Sequence, residues 1–351
     1  MHERAFDASA QLLDQVKAAL ASGTRLDIRG GQSKAWLGRA VQGQVIDTRA
    51  HQGIVNYDPT ELIVTARAGT PLRVLEATLA EHGQCLPCEP PHFGPDATVG
   101  GMVAVGLSGP RRPWAGSVRD FVLGTRVISG EAKHLRFGAE VMKNVAGYDV
   151  SRLMAGSFGC LGLITEVSLK VLPRPRAVAN LRLDMELPQA MHRLAEWGRQ
   201  PLPISAACHD GRVLHLRLEG GEGSVHAARE RLGCETVEPG FWEDLKEHRL
   251  AFFADSRPLW RLSVPAMAAP LDLPGDQWVD WGGAQRWLKS EAEPERIRHV
   301  VSQVGGHATC FSGGDSPFHP LPQGLLHYHR QLKRRLDPQG IFNPGRLYKE
   351  L

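Results

Sequence analysis

With 351 residues, 38.5 kDa and 42% hydrophobic side chains, the chain is large enough to bury the core of one big domain or two smaller ones. Its 41 basic against 38 acidic side chains give a net charge of +3, too even a mixture for a surface that tracks nucleic-acid phosphates. It contains no run of about 18 uninterrupted apolar residues, and Met1-His2-Glu3-Arg4-Ala5 lacks the apolar segment of a signal peptide, so a cytoplasmic protein is expected.

Ser9 stands at the N-cap of an expected helix whose apolar face is Leu12, Leu13, Val16, Ala19 and Leu20 and which ends at Gly23. A short strand over residues 25–28 feeds directly into Arg29-Gly30-Gly31-Gln32-Ser33-Lys34. Residues 62–66 read as a buried strand. Thr70-Pro71 then opens a helix, with the hydroxyl at N-cap and proline at N1, which stops near Gly83.

Cys85 and Cys88 have the spacing of a redox or zinc pair, but no second pair completes a metal site. Their extended, proline-containing segment also lacks the helix N-terminus that lowers a thiol pKa, so they are expected to be structural. The other cysteines are scattered, reduced thiols are the default, and no metal is expected.

Within residues 90–105, Pro95 and Asp96 mark a turn, Thr98 offers a hydroxyl, and Gly100-Gly101 remove side chains that would keep an anion from backbone N–H groups. The small apolar run after them reads as a buried helix. A long strand is expected over 161–172, broken by Pro173-Arg174-Pro175-Arg176, which marks the end of a first domain, residues 1–175.

The second domain, 176–320, begins with a strand (179–183), a helix (188–197), two strands (205–209, 213–218) and a helix (224–232). This is half of a split β-α-β plait, extended by a helix over 242–254 and a further strand or two. Of its tryptophans, Trp242, Trp260, Trp278, Trp281 and Trp287 fill a core or face a partner. Residues 321–351 carry a basic helix (323–335), solvated or docked on a subunit or membrane surface, and return to the first domain.

Gly30-Gly31-Gln32-Ser33-Lys34 offers loose backbone, a hydroxyl and a cation to phosphate oxygens. It is neither Gly-x-Gly-x-x-Gly nor a P-loop, which disfavours a nicotinamide-binding Rossmann domain and an NTPase. The chain then repeats the device, with Ala66-Arg67-Ala68-Gly69-Thr70 after a strand and Thr98-Val99-Gly100-Gly101 in the turn above. Gly116-Ser117-Val118-Arg119-Asp120, the 143–149 segment and Gly156-Ser157-Phe158-Gly159-Cys160-Leu161-Gly162-Leu163-Ile164-Thr165-Glu166 follow.

In combination, residues 5–175 and the C-terminal Asp337-Pro338-Gln339-Gly340-Ile341-Phe342-Asn343-Pro344-Gly345-Arg346 resemble a known FAD-binding family. That family is typified by p-cresol methylhydroxylase and vanillyl-alcohol oxidase, and the resemblance is to its branch of D-lactate and glycolate dehydrogenases. It implies an α+β fold: a two-lobed FAD-binding domain with a reduced α+β, ferredoxin-like cap domain. It implies that Gly30, Gly31, Gln32, Ser33 and Lys34, with Pro95, Asp96, Ala97, Thr98, Gly100 and Gly101, hold the FAD diphosphate. Gly162 and Ile164 approach the adenine end, and Arg29, Gly69, Met102, Arg119 and Asn343 complete the cofactor set. The family's usual Asn after the Gly-Gly pair is Met102 here, and its usual Tyr-Gly before Arg-Asp is Ala115-Gly116. No His stands in the first loop and His92 is expected to be a surface or capping residue, so the FAD is expected to be non-covalent.

Active relatives carry His-x-Gly-Asp-Gly-Asn-x-His. The nearest stretch here, His307-Ala308-Thr309-Cys310-Phe311-Ser312-Gly313-Gly314, keeps only the first His, leaving His307 and His319 as weak candidates for a base. The resemblance thus implies an FAD-binding subunit of a multi-subunit glycolate oxidase or dehydrogenase that makes glyoxylate. A homologous FAD-containing catalytic subunit and an iron–sulfur subunit would be its partners, with possible peripheral association at the inner face of the cytoplasmic membrane. The alternatives are a self-sufficient FAD dehydrogenase of another 2-hydroxy acid such as D-lactate, and a non-catalytic assembly subunit stabilised by FAD.

Overall fold

The computed structural model describes residues 5–138, 149–233, 235–236 and 240–351, the side chains of 235 and 236 excepted; the predicted 143–148 stretch and Cys234 lie outside them. The chain divides into two units. The first comprises the chain up to Ser108, Ser117–Pro173 and Pro320–Leu351, and the second Gly109–Gly116 and Arg174–His319.

In chain order the elements are α1 (Ser9–Ser22), β1 (Leu26–Arg29), β2 (Gln44–Asp47), β3 (Ile54–Asp58), β4 (Ile63–Arg67), α2 (Leu72–Glu81), β5 (Gln84–Cys85) and α3 (Val99–Val105). Then come α4 (Arg112–Ala115), α5 (Val118–Phe121), β6 (Val122–Ile128), β7 (His134–Gly138), α6 (Val150–Leu153), β8 (Leu163–Lys170) and β9 (Leu172–Pro173). All but α4 belong to the first unit. β1 and β2 pair in parallel, and a five-stranded antiparallel sheet has the order β3-β4-β8-β6-β7.

The 3.6-residue period of α1 turns Leu12, Val16 and Ala19 onto Leu26, Ile46, Ile128, Leu163, Ile341 and Phe342. The helix ends where Gly23 takes φ 68°, a conformation that costs glycine nothing. Ser9 is the first helical residue and not the cap; its N–H is instead accepted by Asp7 Oδ1 at 2.9 Å. Thr70 likewise does not cap α2. Pro71 occupies that position, and the Thr70 hydroxyl exchanges hydrogen bonds with the Gly53 N–H and C=O at 2.9 and 3.2 Å.

The second unit contains β10 (Ala177–Asp184), α7 (Leu187–Trp197), β11 (Ile204–His209), β12 (Val213–Gly220), α8 (Glu222–Leu232), β13 (Glu235–Thr236), α9 (Phe241–Lys246) and α10 (Ala251–Ala254). These are followed by β14 (Leu259–Ser263), β15 (Asp276–Asp280), β16 (Gln285–Lys289), α11 (Pro294–Gln303) and β17 (His307–Cys310). One eight-stranded sheet runs β13-β10-β12-β11-β15-β16-β14-β17.

Its first four strands form a complete β-α-β-β-α-β plait, where half was expected, and β14 to β17 extend it by as many again. Alternation sends Ala207, Leu214, Leu216 and Leu218 to the face covered by α7 and α8, and Ala206 and Cys208 to the opposite face with Trp242, Leu245 and Trp278. The helix expected over 242–254 is two short helices, broken where His248 takes φ 55°. The last element, α12 (Gln323–Leu336), returns the chain to the first unit.

Candidate functional site: two facing glycine loops

The loop after β1 and the turn before α3 touch through positions that admit only glycine. A Cβ on Gly31 would fall 1.4 Å from the Asp96 carbonyl oxygen, and one on Gly30 would fall 2.7 Å from the Thr98 hydroxyl. The predicted residues Arg29 to Lys34 and Pro95 to Gly101 are therefore brought together. Gln32 has φ 55°, so successive N–H groups turn into one concavity, a backbone nest for an anion. Among the described residues, the N–H groups of Gly30, Gly31, Gln32 and Ser33 donate to no protein acceptor, and neither do those of Asp96 and Thr98.

Thr98, in extended backbone, caps α3 by accepting the Gly101 N–H at 3.2 Å. Gly100 is forced by close approach, since a Cβ there would meet the Ala68 methyl at 2.6 Å, and Gly69 is forced by the Thr48 carbonyl at 2.1 Å. These two are packing positions that seat the loops. Met102 is 2% exposed and belongs to the core around α3, so its side chain does not line the loops.

The cations near the loops are unequal. Lys34 is buried, and its Nζ donates to the His92 carbonyl at 3.0 Å and lies 5.7 Å from the centre of the Phe93 ring. This ties the first loop to the segment that leads into the second. The Arg29 guanidinium lies on Asp27 at 2.7 Å, and Arg119 is exposed on α5. Asp120 completes a capping box with Ser117, accepting its N–H and hydroxyl at 2.8 Å each. His92 sits against Glu76 at 3.0 Å.

A brace the sequence did not reveal lies beneath the loops. Asn343 accepts the Ile28 N–H and donates to the Phe158 carbonyl, both at 2.7 Å, so its amide ties β1 to the Gly159 turn and is committed within the protein. A Cβ on Gly159 would meet that amide at 2.7 Å, and one on Gly162 would meet the Val127 side chain at 2.5 Å. Ile164 is buried and pairs with Val127 in the β6–β8 ladder, which places Gly162 and Ile164 at one edge of this assembly.

Arg346 donates to the carbonyls of Arg39, Leu37 and Ala35 at 2.6, 2.8 and 2.9 Å, closing the far side of the first loop. Lys333, expected on the solvated face of α12, is 7% exposed. Its Nζ bonds the Cys160 and Phe342 carbonyls at 2.7 Å each and Asp337 at 2.6 Å. The signal for it was Lys333 followed four residues later by the Asp of the Asp337-Pro338 turn.

Burial drives the titration behaviour. His51 Nδ1 accepts the Ala8 N–H at 3.0 Å, and burial pushes the imidazole down to about 4, so it is neutral at pH 7. The Cys88 thiol is pushed up by burial, which leaves it unreactive, and Cys85 and Cys88 are not joined to each other.

His307 and His319 lie in the second unit, at its β17 edge. His307 is exposed at the strand edge; partial desolvation, then Arg261 and His319, lower its pKa, and among the described residues no carboxylate is paired with it. His319 is engaged by the Ala308 N–H at 3.3 Å and by Ser302 Oγ at 3.2 Å.

Residues 5–138 match the family model described as "FAD binding domain". Over 348 residues the chain is 61% identical to glycolate oxidase subunit GlcE of Escherichia coli strain K12, covering 99% of both proteins. The chain belongs to the GlcE family. Its cofactor is FAD, and the two loops described above lie within the matched region.

Two other relatives match less than half of this GlcE-family chain. D-lactate dehydrogenase of Anaerostipes hadrus is 35% identical over 41% of the chain and 30% of its own length, and glycolate oxidase subunit GlcD of Bacillus subtilis is 31% identical over 36% and 27%. Two solved structures of alkyldihydroxyacetonephosphate synthase superimpose with TM-scores of 0.68 and 0.69 at 17% and 16% identity. They cover 97% and 96% of this chain and 76% and 75% of theirs, which shows the fold.

Proposed function

We propose that this chain is the FAD-binding subunit of a multi-subunit glycolate oxidase that converts glycolate to glyoxylate, working with a homologous flavoprotein subunit and an iron–sulfur subunit that receives the electrons. The observation that carries the cofactor half is the pair of facing loops, whose unengaged N–H groups, Thr98 hydroxyl and glycine-only contacts suit a diphosphate. The whole-length likeness to GlcE supports the glycolate half and a place in a complex.

FAD supplies a two-electron acceptor for the hydride of a 2-hydroxy acid. The chain's own part is to grip and orient it. Gly30, Gly31, Gln32 and Ser33 present main-chain donors from one side, and Asp96 and Thr98 from the other. Lys34 holds the two loops in register, while Asn343 and Arg346 fix them from behind. Arg29, half-buried against Asp27, and Arg119, exposed, lie outside this grip and would act through the field they create. No histidine of the first loop stands ready for a covalent link, which supports dissociable FAD. No helix among the described residues is long and apolar enough to cross a membrane, so attachment to a membrane face would come through the partners.

Purified alone, the chain should be yellow or become so with FAD, and should stay inactive in glycolate-dependent dye reduction until its partner subunits are added. Dye reduction by the isolated chain would replace this proposal with a self-sufficient dehydrogenase. Failure of the partners to work better with it than without it would remove the chain from the complex.

A further inference from the structure

The polar side chains of β16 are buried, and most find full partners. Lys289 donates to the Asp255 and Arg257 carbonyls, and Gln285 donates to Asp280. Arg286, 3% exposed, is only partly answered. Its Nη1 donates to the Ala269 carbonyl at 2.8 Å and its Nη2 to that of Ala268, which uses two of the five N–H groups of a guanidinium. Its Nε, sealed from solvent, has no hydrogen-bond partner, and among the described residues no carboxylate pairs with it. A buried cation without an opposite charge or a full set of acceptors is costly.

Arg286 also borders a cavity of about 280 Å³ whose lining belongs wholly to the second unit. The other walls are apolar: Leu187 and Met191 of α7, Met267 and Pro270 before β15, and Val279 of β15. Register explains the meeting, since Arg286 lies directly opposite Val279 and therefore on the same face of the sheet. Gly283, at φ 106°, lets α7 approach, because a Cβ there would fall 2.3 Å from the Met191 methyl. Met267 is 64% exposed, a flexible side chain that can give way to an entering ligand. His192, the other ionisable residue of the lining, is exposed and pairs with Glu196 at 3.1 Å. At roughly 30 Å³ each, the share of a water molecule in the liquid, the cavity holds about nine non-hydrogen atoms.

We propose that this cavity binds a small aliphatic monocarboxylate, with its head on Arg286 and its chain along Leu187, Met191, Met267 and Val279. The Nε–H of a guanidinium and a neighbouring Nη–H form the parallel pair that a carboxylate accepts. The anion supplies the missing charge, and the apolar walls favour a hydrocarbon tail over a second polar group. One carboxylate is enough, because the lining holds no second buried cation. The site uses no residue of the two glycine loops and does not rest on the glycolate reading.

The test is isothermal titration calorimetry of the full-length chain with sodium hexanoate. Hexan-1-ol supplies the same tail without the charge, and chloride and inorganic phosphate supply charge without the tail. Saturable binding of one hexanoate per chain is expected, with hexan-1-ol weaker by roughly tenfold or more. R286M should weaken hexanoate by on the order of ten- to a hundredfold and change hexan-1-ol little. That variant also releases the Ala268 and Ala269 carbonyls, so exposed Met267 provides a second test. M267E, which sets a like charge at the wall, should weaken hexanoate by roughly tenfold, and M267K should not.

Circular dichroism melts verify that each variant is folded. The proposal is overturned if wild type shows no saturable hexanoate binding, or if hexan-1-ol, chloride or phosphate binds as tightly as hexanoate. It is equally overturned if M267E and folded R286M bind hexanoate like wild type. Should R286M fail to fold, wild-type affinity in M267E alone overturns it.

Discussion

Substituting Gly31 by alanine attacks the contact between the two loops directly. The new Cβ would sit 1.4 Å from the Asp96 carbonyl oxygen and 2.4 Å from its carbon, both main-chain atoms that cannot rotate away. Carbon and oxygen tolerate no closer approach than about 3.3 Å, so the loops must part by about 2 Å. A hydrogen bond does not survive such a displacement. Bonds to a charged acceptor contribute about 1.5–3 kcal/mol each, and losing two of them weakens FAD binding by roughly two to four orders of magnitude.

Flavin fluorescence quenching gives the dissociation constant, and circular dichroism melting confirms that the variant is folded. Gly324→Ala, on the first turn of α12 with nothing within 4 Å of the new methyl, is the control that should bind FAD normally. A folded Gly31→Ala protein with wild-type FAD affinity would refute the reasoning.

Lys333→Ala strands the Asp337 carboxylate and two carbonyls in the interior, and should cost about 3–5 kcal/mol in urea unfolding. Arg346→Ala releases the carbonyls at positions 35, 37 and 39 and should lower FAD affinity more than it lowers thermal stability; an equal loss in a variant far from the loops would contradict this. The pH dependence follows from His51 and His248, which burial holds at about 4 and about 3, below the ordinary 6.5. In that window the unfolded chain binds the extra protons, so stability is full above about pH 6.5 and falls as the pH drops toward 4. His51→Gln should flatten the upper part of that decline in a series of melts.

The glycine loops were legible in the sequence because their chemistry is carried by residue types that do only a few things. Gly30-Gly31 follows a strand and Gly100-Gly101 a turn, and the two loops meet as that pattern suggested, although the Gly100 and Gly101 N–H groups are spent on Ala68 and Thr98. The brace behind them was not legible. Lys333 stands among the exposed Arg330, Arg334 and Arg335, and only the returning carbonyls of Cys160 and Phe342, with Asp337, make it a core residue.

The second unit was half-read for a related reason. The β16 segment Gln285-Arg286-Trp287-Leu288-Lys289 is buried throughout although it is mostly polar, because carbonyls and Asp280 engage its charges and amide. A pattern based on hydrophobicity passes over such a strand. Likewise, the periodicity of residues 242–254 continues through His248, where the backbone turns left-handed and splits the helix.

The central claim is tested most directly by titrating the purified full-length chain with FAD and then denaturing it with acid. The account predicts saturable quenching of flavin fluorescence at one FAD per chain, with all of the flavin released into the acid supernatant. No saturable binding, or flavin that stays with the precipitated protein, would contradict a dissociable FAD held between the Gly30 and Thr98 loops.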